Sequence, residues 1–153
     1  MIYADPSFLA SLYGWDSNTQ RAQDVYAKDG RRPLFFTPWQ HFEVRNALRL
    51  ALQRVRRAGG QPPYQTGIVF RRIDEDLSAG RLKHVQPDWQ DAFRLAEEFS
   101  QLHTGKIGCA SSDIWHVATA NLLGADTFWT FDADQHALAV AVGCFRRSPK
   151  LTV

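Results

Sequence analysis

The chain has 153 residues, enough for one domain that buries most of its apolar surface without staples. Hydrophobic residues make up 44% and charged residues 22%, which excludes a disordered or collagen-like chain. A formal charge of +2 does not mark a nucleic-acid binder by itself, but the arginines are clustered: Arg31-Arg32, Arg54 with Arg56-Arg57, Arg71-Arg72 and Arg146-Arg147.

From the N-terminus, Met1 to Ala4 read as a short apolar strand ending at Asp5, with Pro6 in the first turn of a helix that Asp5 caps. Phe8, Leu9, Leu12 and Tyr13 continue this helix to Gly14, and a second begins near Asp16 with Ala22, Val25 and Tyr26 at helical spacing before Gly30. Leu34 to Thr37 is a buried strand. Pro38 then opens a long helix to about Ala58, with Val44, Ala47, Leu48, Ala51, Leu52 and Val55 on one stripe. Glu43 stands at one margin of that stripe and Arg45, Arg49 and Arg56 at the other. An amphipathic stretch from Tyr64 to about Ala79 precedes a short strand from Leu82 to Val85.

Asp88 reads as the cap of a helix that carries Trp89, Ala92, Phe93, Leu95, Ala96 and Phe99 and ends around Gly105. Ser111-Ser112 cap the next helix, from Asp113 to Leu123, which is apolar nearly all round and therefore buried. Thr127 to Phe131 is a strand ended by Asp132; a last helix runs from Ala133 to Val142, followed by Gly143 and a short strand near Phe145. Strands alternating with helices point to an α/β fold, with a mainly parallel central sheet and helices on its faces. No composition break suggests a second domain.

Cys109 and Cys144 show neither CxxC spacing nor a partnering His motif, so buried thiols in a reducing compartment are expected. The N-terminal residues lack a basic stretch, an apolar core and a cleavage site, and no run approaches the roughly 20 apolar residues of a membrane span, so a cytoplasmic protein is expected.

Asp5 and Asp132 terminate strands, and Glu43 and Asp113 stand near helix N-termini. In an open parallel sheet those positions meet at one rim, where ligands bind. Four crowded carboxylates raise one another's pKa unless a cation compensates them, and all-oxygen ligation selects Mg²⁺ or Mn²⁺. His116, three residues past Asp113 on a buried helix, reads as a structural, hydrogen-bonded histidine rather than a catalytic one.

The run Tyr3-Ala4-Asp5-Pro6-Ser7, Glu43 early in a long helix, Asp113-Ile114-Trp115-His116 and Thr130-Phe131-Asp132 before Asp134 together resemble the PIN-domain ribonucleases, specifically VapC-like toxins of type II toxin–antitoxin pairs. The resemblance spans nearly the whole chain. It implies one PIN-like domain over residues 1–153, three layers α/β/α with a mainly parallel sheet of four to five strands, and Mg²⁺- or Mn²⁺-dependent endonucleolytic hydrolysis of RNA. Asp5, Glu43, Asp113 and Asp132 become metal ligands and catalytic acids, Asp134 a further acid, and Ser7 and Thr130 supporting hydroxyls. It also implies a cognate antitoxin and a homodimer. Arg45 and Arg49, with Arg56 on the same margin and the Arg71-Arg72 pair, are candidates for holding RNA phosphates.

Two other readings compete. A PIN-like module could bind RNA or a protein without catalysis, and Asp132-Ala133-Asp134 after an apolar strand resembles a haloacid-dehalogenase-type phosphatase. The second needs an early nucleophilic Asp in that motif and Thr or Val where His136 stands.

Overall fold

The computed structural model describes residues 1–143 and 145–151, so Cys144 lies outside the described residues. They form four strands and seven helices, which group into two compact units, residues 1–5 with 85–153 and residues 6–84. All the strand pairing described is parallel, with one pair of strands in each unit.

In the first unit, β1 (Ile2–Ala4) runs parallel to β4 (Thr127–Trp129), with Ile2 opposite Thr127 and Ala4 opposite Trp129. The Asp5 amide continues this ladder, donating to the Trp129 carbonyl at 2.9 Å. Ile2, Tyr3 and Phe128 are fully buried, which explains why these strands read as continuous apolar runs rather than alternating ones. Helices α5 (Trp89–Ile107), α6 (Ser111–Leu122) and α7 (Ala133–Val142) pack against one another. The middle of α6, Ile114 to Ala120, is buried on every side, as its mostly apolar sequence requires, and His116 and Thr119 are buried with it.

Several boundaries differ from the sequence expectation. The Asp88 carboxylate accepts the Asp91 amide at 3.0 Å and starts α5 as expected, but the helix runs past Gly105 to Ile107, where Gly108 takes the left-handed conformation at φ 79°. Ala110, not Ser111-Ser112, is the N-cap of α6; both serines lie inside the first turn, and the Asp113 side chain reaches back to the Ala110 amide instead. Strand β4 stops at Trp129, and Asp132 begins α7 as its N-cap rather than ending the strand. Near Phe145 there is only a single bridge, between Thr127 and Arg147, instead of a strand.

In the second unit, β2 (Leu34–Phe36) runs parallel to β3 (Leu82–His84), with Leu34 opposite Leu82. Around them lie α1 (Pro6–Tyr13), α2 (Thr19–Lys28), α3 (Pro38–Arg57) and α4 (Thr66–Ser78). The sequence Thr37-Pro38-Trp39-Gln40 forms a complete capping box: Thr37 Oγ1 accepts the Gln40 amide at 3.2 Å and Gln40 Oε1 accepts the Thr37 amide at 2.7 Å. With Pro38 supplying a pre-set φ, this fixes where α3 begins. Val44, Leu48 and Leu52 form its buried stripe, while Ala51 is exposed. Helix α2 starts three residues later than Asp16, because Asp16 is used in the turn before it, accepting the Asn18 amide and donating its own to Thr19 Oγ1, both at 2.8 Å.

Candidate active site

The first unit carries Asp5, Asp113, Asp132 and Asp134. Asp5 is almost fully buried at the C-terminal end of β1. Thr130, directly after β4, is also buried, and its hydroxyl donates to Asp5 Oδ2 at 3.2 Å while accepting the Asp132 amide at 2.9 Å. One hydroxyl thus ties the end of one strand to the loop beyond its neighbour, using its single proton toward the carboxylate and a lone pair toward the amide.

Asp132 Oδ1 caps α7 through the Gln135 amide at 2.8 Å. Asp113 Oδ2 accepts the Ala110 amide at 3.2 Å, inside the first turn of α6. Each carboxylate is therefore oriented by a helix N-terminus through one oxygen, with the other left uncommitted. Gln135, itself buried, bridges the two helices by reaching from the α7 turn to the Asp113 carbonyl at 3.4 Å.

The electrostatics are unbalanced. Burial raises the Asp113 carboxyl above its usual range, and the negative charges of Asp132 and Asp134 raise it further; the Ala110 amide and His116 only partly oppose them. Cys109, whose thiol donates to the Asp134 carbonyl at 3.2 Å, is pushed up to about 11 by burial and then by Asp113, Asp134 and Asp132. Three carboxylates therefore share one field, and none of them is in an ion pair among the described residues. His116 is buried and hydrogen-bonded to the Tyr3 hydroxyl through Nδ1 at 2.8 Å, the structural histidine expected from its helix.

No protein-family model matches this sequence, and no curated protein matches it. Among solved structures, VapC20 of Mycobacterium tuberculosis, described as a toxin that cleaves the sarcin–ricin loop, is similar in fold. It matches with a TM-score of 0.63 at 18% identity, covering 90% of this chain and 94% of that one. The chain has the PIN-domain fold of VapC-type proteins. The α/β architecture with parallel strands, expected from the alternation of strands and helices, is the architecture found.

Within this PIN fold the remaining candidates belong to the second unit. Glu43 lies half-buried on α3, and Ser7 is exposed in the first turn of α1. Arg45 is held by Asp74 at 2.6 Å and packs over the Phe70 ring at 4.8 Å; Arg49 lies over the same ring at 4.9 Å. Sequence reasoning passed over Gln135, and it expected Cys109 as a buried thiol, as found, without placing it beside the acids. The spacing of Asp132 to Gln135, a capping residue followed three positions later by Gln, was the available signal for Gln135. For Cys109 there was none, since its neighbours come from α6 and α7.

The donors fit a hard divalent cation in kind: they are all oxygens, Asp113, Asp132 and Asp134 are in no ion pair among the described residues, and the buried Gln135 Oε1 has no hydrogen-bond partner among them. Among the described residues, however, no three His, Cys, Asp or Glu side chains are grouped closely enough to hold a metal ion together.

Proposed function

We propose that the chain is a Mg²⁺- or Mn²⁺-dependent endoribonuclease, acting as a single PIN-like nuclease domain and serving as the toxin of a toxin–antitoxin pair. The observation that supports this reading most is the Thr130 bridge between Asp5 and Asp132, set in the same charge field as Asp113 and Asp134. A purely structural network would pair its acids with cations; here the charges of Asp132 and Asp134 bear on Asp113, and none of these three is in an ion pair among the described residues.

Asp5, Asp113 and Asp132, with Glu43 assigned by the resemblance, are the residues that would hold the cation, and Asp134 adds negative charge beside them. When bound, the cation supplies Lewis-acid stabilisation of phosphate oxygens and makes water acidic enough to attack at neutral pH. Asp113, with Oδ1 uncommitted, is assigned to accept the proton of the attacking water. Thr130 keeps Asp5 in its rotamer. Arg49, stacked on Phe70 with its charge unpaired among the described residues, and Arg45 beside it are assigned to RNA phosphates. Structured RNA loops are the proposed substrate class, on the strength of the loop that the structural neighbour cleaves. A cognate antitoxin and a homodimer in the cytoplasm complete the proposal. None of the described helices is long and apolar enough to cross a membrane.

The test is incubation of the purified chain with total RNA and Mg²⁺ or Mn²⁺, followed by sequencing of the cleavage ends. Discrete internal cuts are expected from the parent and none from Asp5→Asn, whose circular dichroism and melting temperature should match the parent's. An Asp5→Asn protein that cuts at the parental rate would overturn the mechanism. The lack of three grouped ligands favours one rival, a PIN-like module that binds RNA or a partner without catalysis. Calorimetry with Mn²⁺ discriminates: no binding at millimolar metal, together with no cleavage, establishes the rival.

A further inference from the structure

The second unit contains a cavity of about 630 Å³, within the range of small-ligand sites, whose chemistry the nuclease reading does not use. Its walls come from α1, α2, α4 and the turns after α2 and α4: Tyr13, Tyr26, Arg31, Arg72, Asp76 and Arg81, with Glu75 at the edge. Three of these residues, here called the floor, form one hydrogen-bonded network. Tyr13 donates to Asp76 Oδ2 at 2.6 Å, and Arg81 grips Oδ1 of the same carboxylate, with Nη2 at 2.6 Å and Nε at 2.7 Å.

Charge decides what the cavity would take. Arg81 and Asp76 cancel each other, and Glu75 is matched by Arg71, 3.9 Å away on the outer face of α4. Arg31 and Arg72 are left, and among the described residues neither has a carboxylate partner. Each lies close enough to a cavity tyrosine, Arg31 to Tyr26 and Arg72 to Tyr13, for its field to act on the phenol. Arg31 also has a positive φ of 52° and is the sole non-glycine to do so among the described residues. Side chains rarely accept that conformation, and strained residues of this kind are frequent at ligand clamps.

We infer that this cavity is a binding site for a phosphate group, held by Arg31 and Arg72 above the Tyr13–Asp76–Arg81 floor. Two unpaired guanidiniums match a phosphomonoester, which carries about −1.5 to −2 charges at pH 7, better than a single carboxylate, and the guanidinium fork suits phosphate oxygens. The volume admits a mononucleotide. The source is either a free nucleotide or a phosphorylated RNA end, since both present the same group. This inference rests on residues 12 to 81 alone and does not depend on the carboxylates of the first unit.

The experiment is calorimetry on the full chain with AMP, adenosine, a short RNA bearing a 5′-phosphate and the same RNA with a 5′-hydroxyl. AMP is expected to bind and adenosine not; preference for the 5′-phosphorylated over the 5′-hydroxyl RNA identifies an RNA end, and indifference identifies the free nucleotide. Arg31→Gly and Arg72→Gln should each weaken AMP at least tenfold. Arg31→Gly should leave the melting temperature equal or higher, because glycine relieves the positive φ. Asp5→Asn should bind AMP like the parent, which separates this site from the catalytic proposal. Equal binding of AMP and adenosine, no loss in either arginine variant, or binding of a glutamate-rich peptide in preference to every phosphate probe overturns the assignment.

Discussion

Two groups of acids, one in each unit, live under different rules. In residues 6–84 carboxylates are matched: Asp76 by Tyr13 and Arg81, Asp74 by Arg45, Asp29 by Arg32 at 2.6 Å. In the other unit, Asp132 and Asp134 raise the proton affinity of Asp113, all three raise that of the thiol beside them, and Asp113 and Asp132 are steadied by backbone amides rather than by cations. Matched charges serve local order, while a cluster of like charges persists only where something else compensates it. The contrast separates a scaffold from a site.

The comparison breaks most decisively at Asp132. Asparagine caps a helix as well as aspartate does, so Asp132→Asn keeps α7 and removes only charge. RNA cleavage should fall at least about 10²-fold, the scale of losing one electrostatic stabiliser, with the melting temperature unchanged. Thr130→Val should cost roughly 10- to 100-fold in cleavage, because the tie between Asp5 and Asp132 disappears while both carboxylates stay. A loss confined to stability in either variant would make the first unit resemble the second.

Changes in the second unit should act on stability instead. A Cβ at Gly14 would stand 2.6 Å from the Ala10 carbonyl and 2.8 Å from Leu48 Cδ2, so Gly14→Ala should cost about 1–3 kcal/mol in denaturant unfolding by overpacking α1 against α3. Tyr13→Phe removes a buried hydrogen bond to a charged acceptor and should cost about 1.5–3 kcal/mol, nearer the lower figure because Arg81 remains on Asp76.

The smallest effect has the opposite sign. Asp113 binds its proton more tightly in the folded chain than at its ordinary value of 3.8, so its contribution to stability is fully present below that value and is lost as pH rises through the raised folded value. Metal-free protein should therefore lose stability over that acidic window, and Asp113→Asn should flatten the loss. At neutral pH this variant should melt higher than the parent. Thermal scans in a chelator, across pH, read both effects.

How much of this was written in the sequence depends on whether the signal was local. Pro38 after an apolar run marked the start of α3, and the nearly all-round apolar character of Ile114 to Ala120 marked a buried helix, because each follows from a handful of adjacent residues. The strand-end placement of Asp5 was legible for the same reason. Ends of elements were not: Gly105 and Gly108 are equally good stop residues on paper, and only packing of α5 decides that the second is used. Thr130-Phe131 has the composition of a strand, yet Thr130 turns its hydroxyl to Asp132 and the chain leaves the ladder. The cavity of the second unit was out of reach. Tyr13, Arg31, Arg72 and Arg81 are brought together by folding alone, and Arg31 looked like one half of a solvated arginine pair.

Cys109 offers a practical consequence. With its thiol pushed up to about 11, only about one molecule in a thousand carries the thiolate at pH 8, so alkylation by iodoacetamide should be slow. Neutralising the nearby carboxylates would lower that barrier, and in a chain with Cys144 replaced by serine the labelling rate becomes an optical gauge of whether a cation has entered among them, readable without any nucleic acid present.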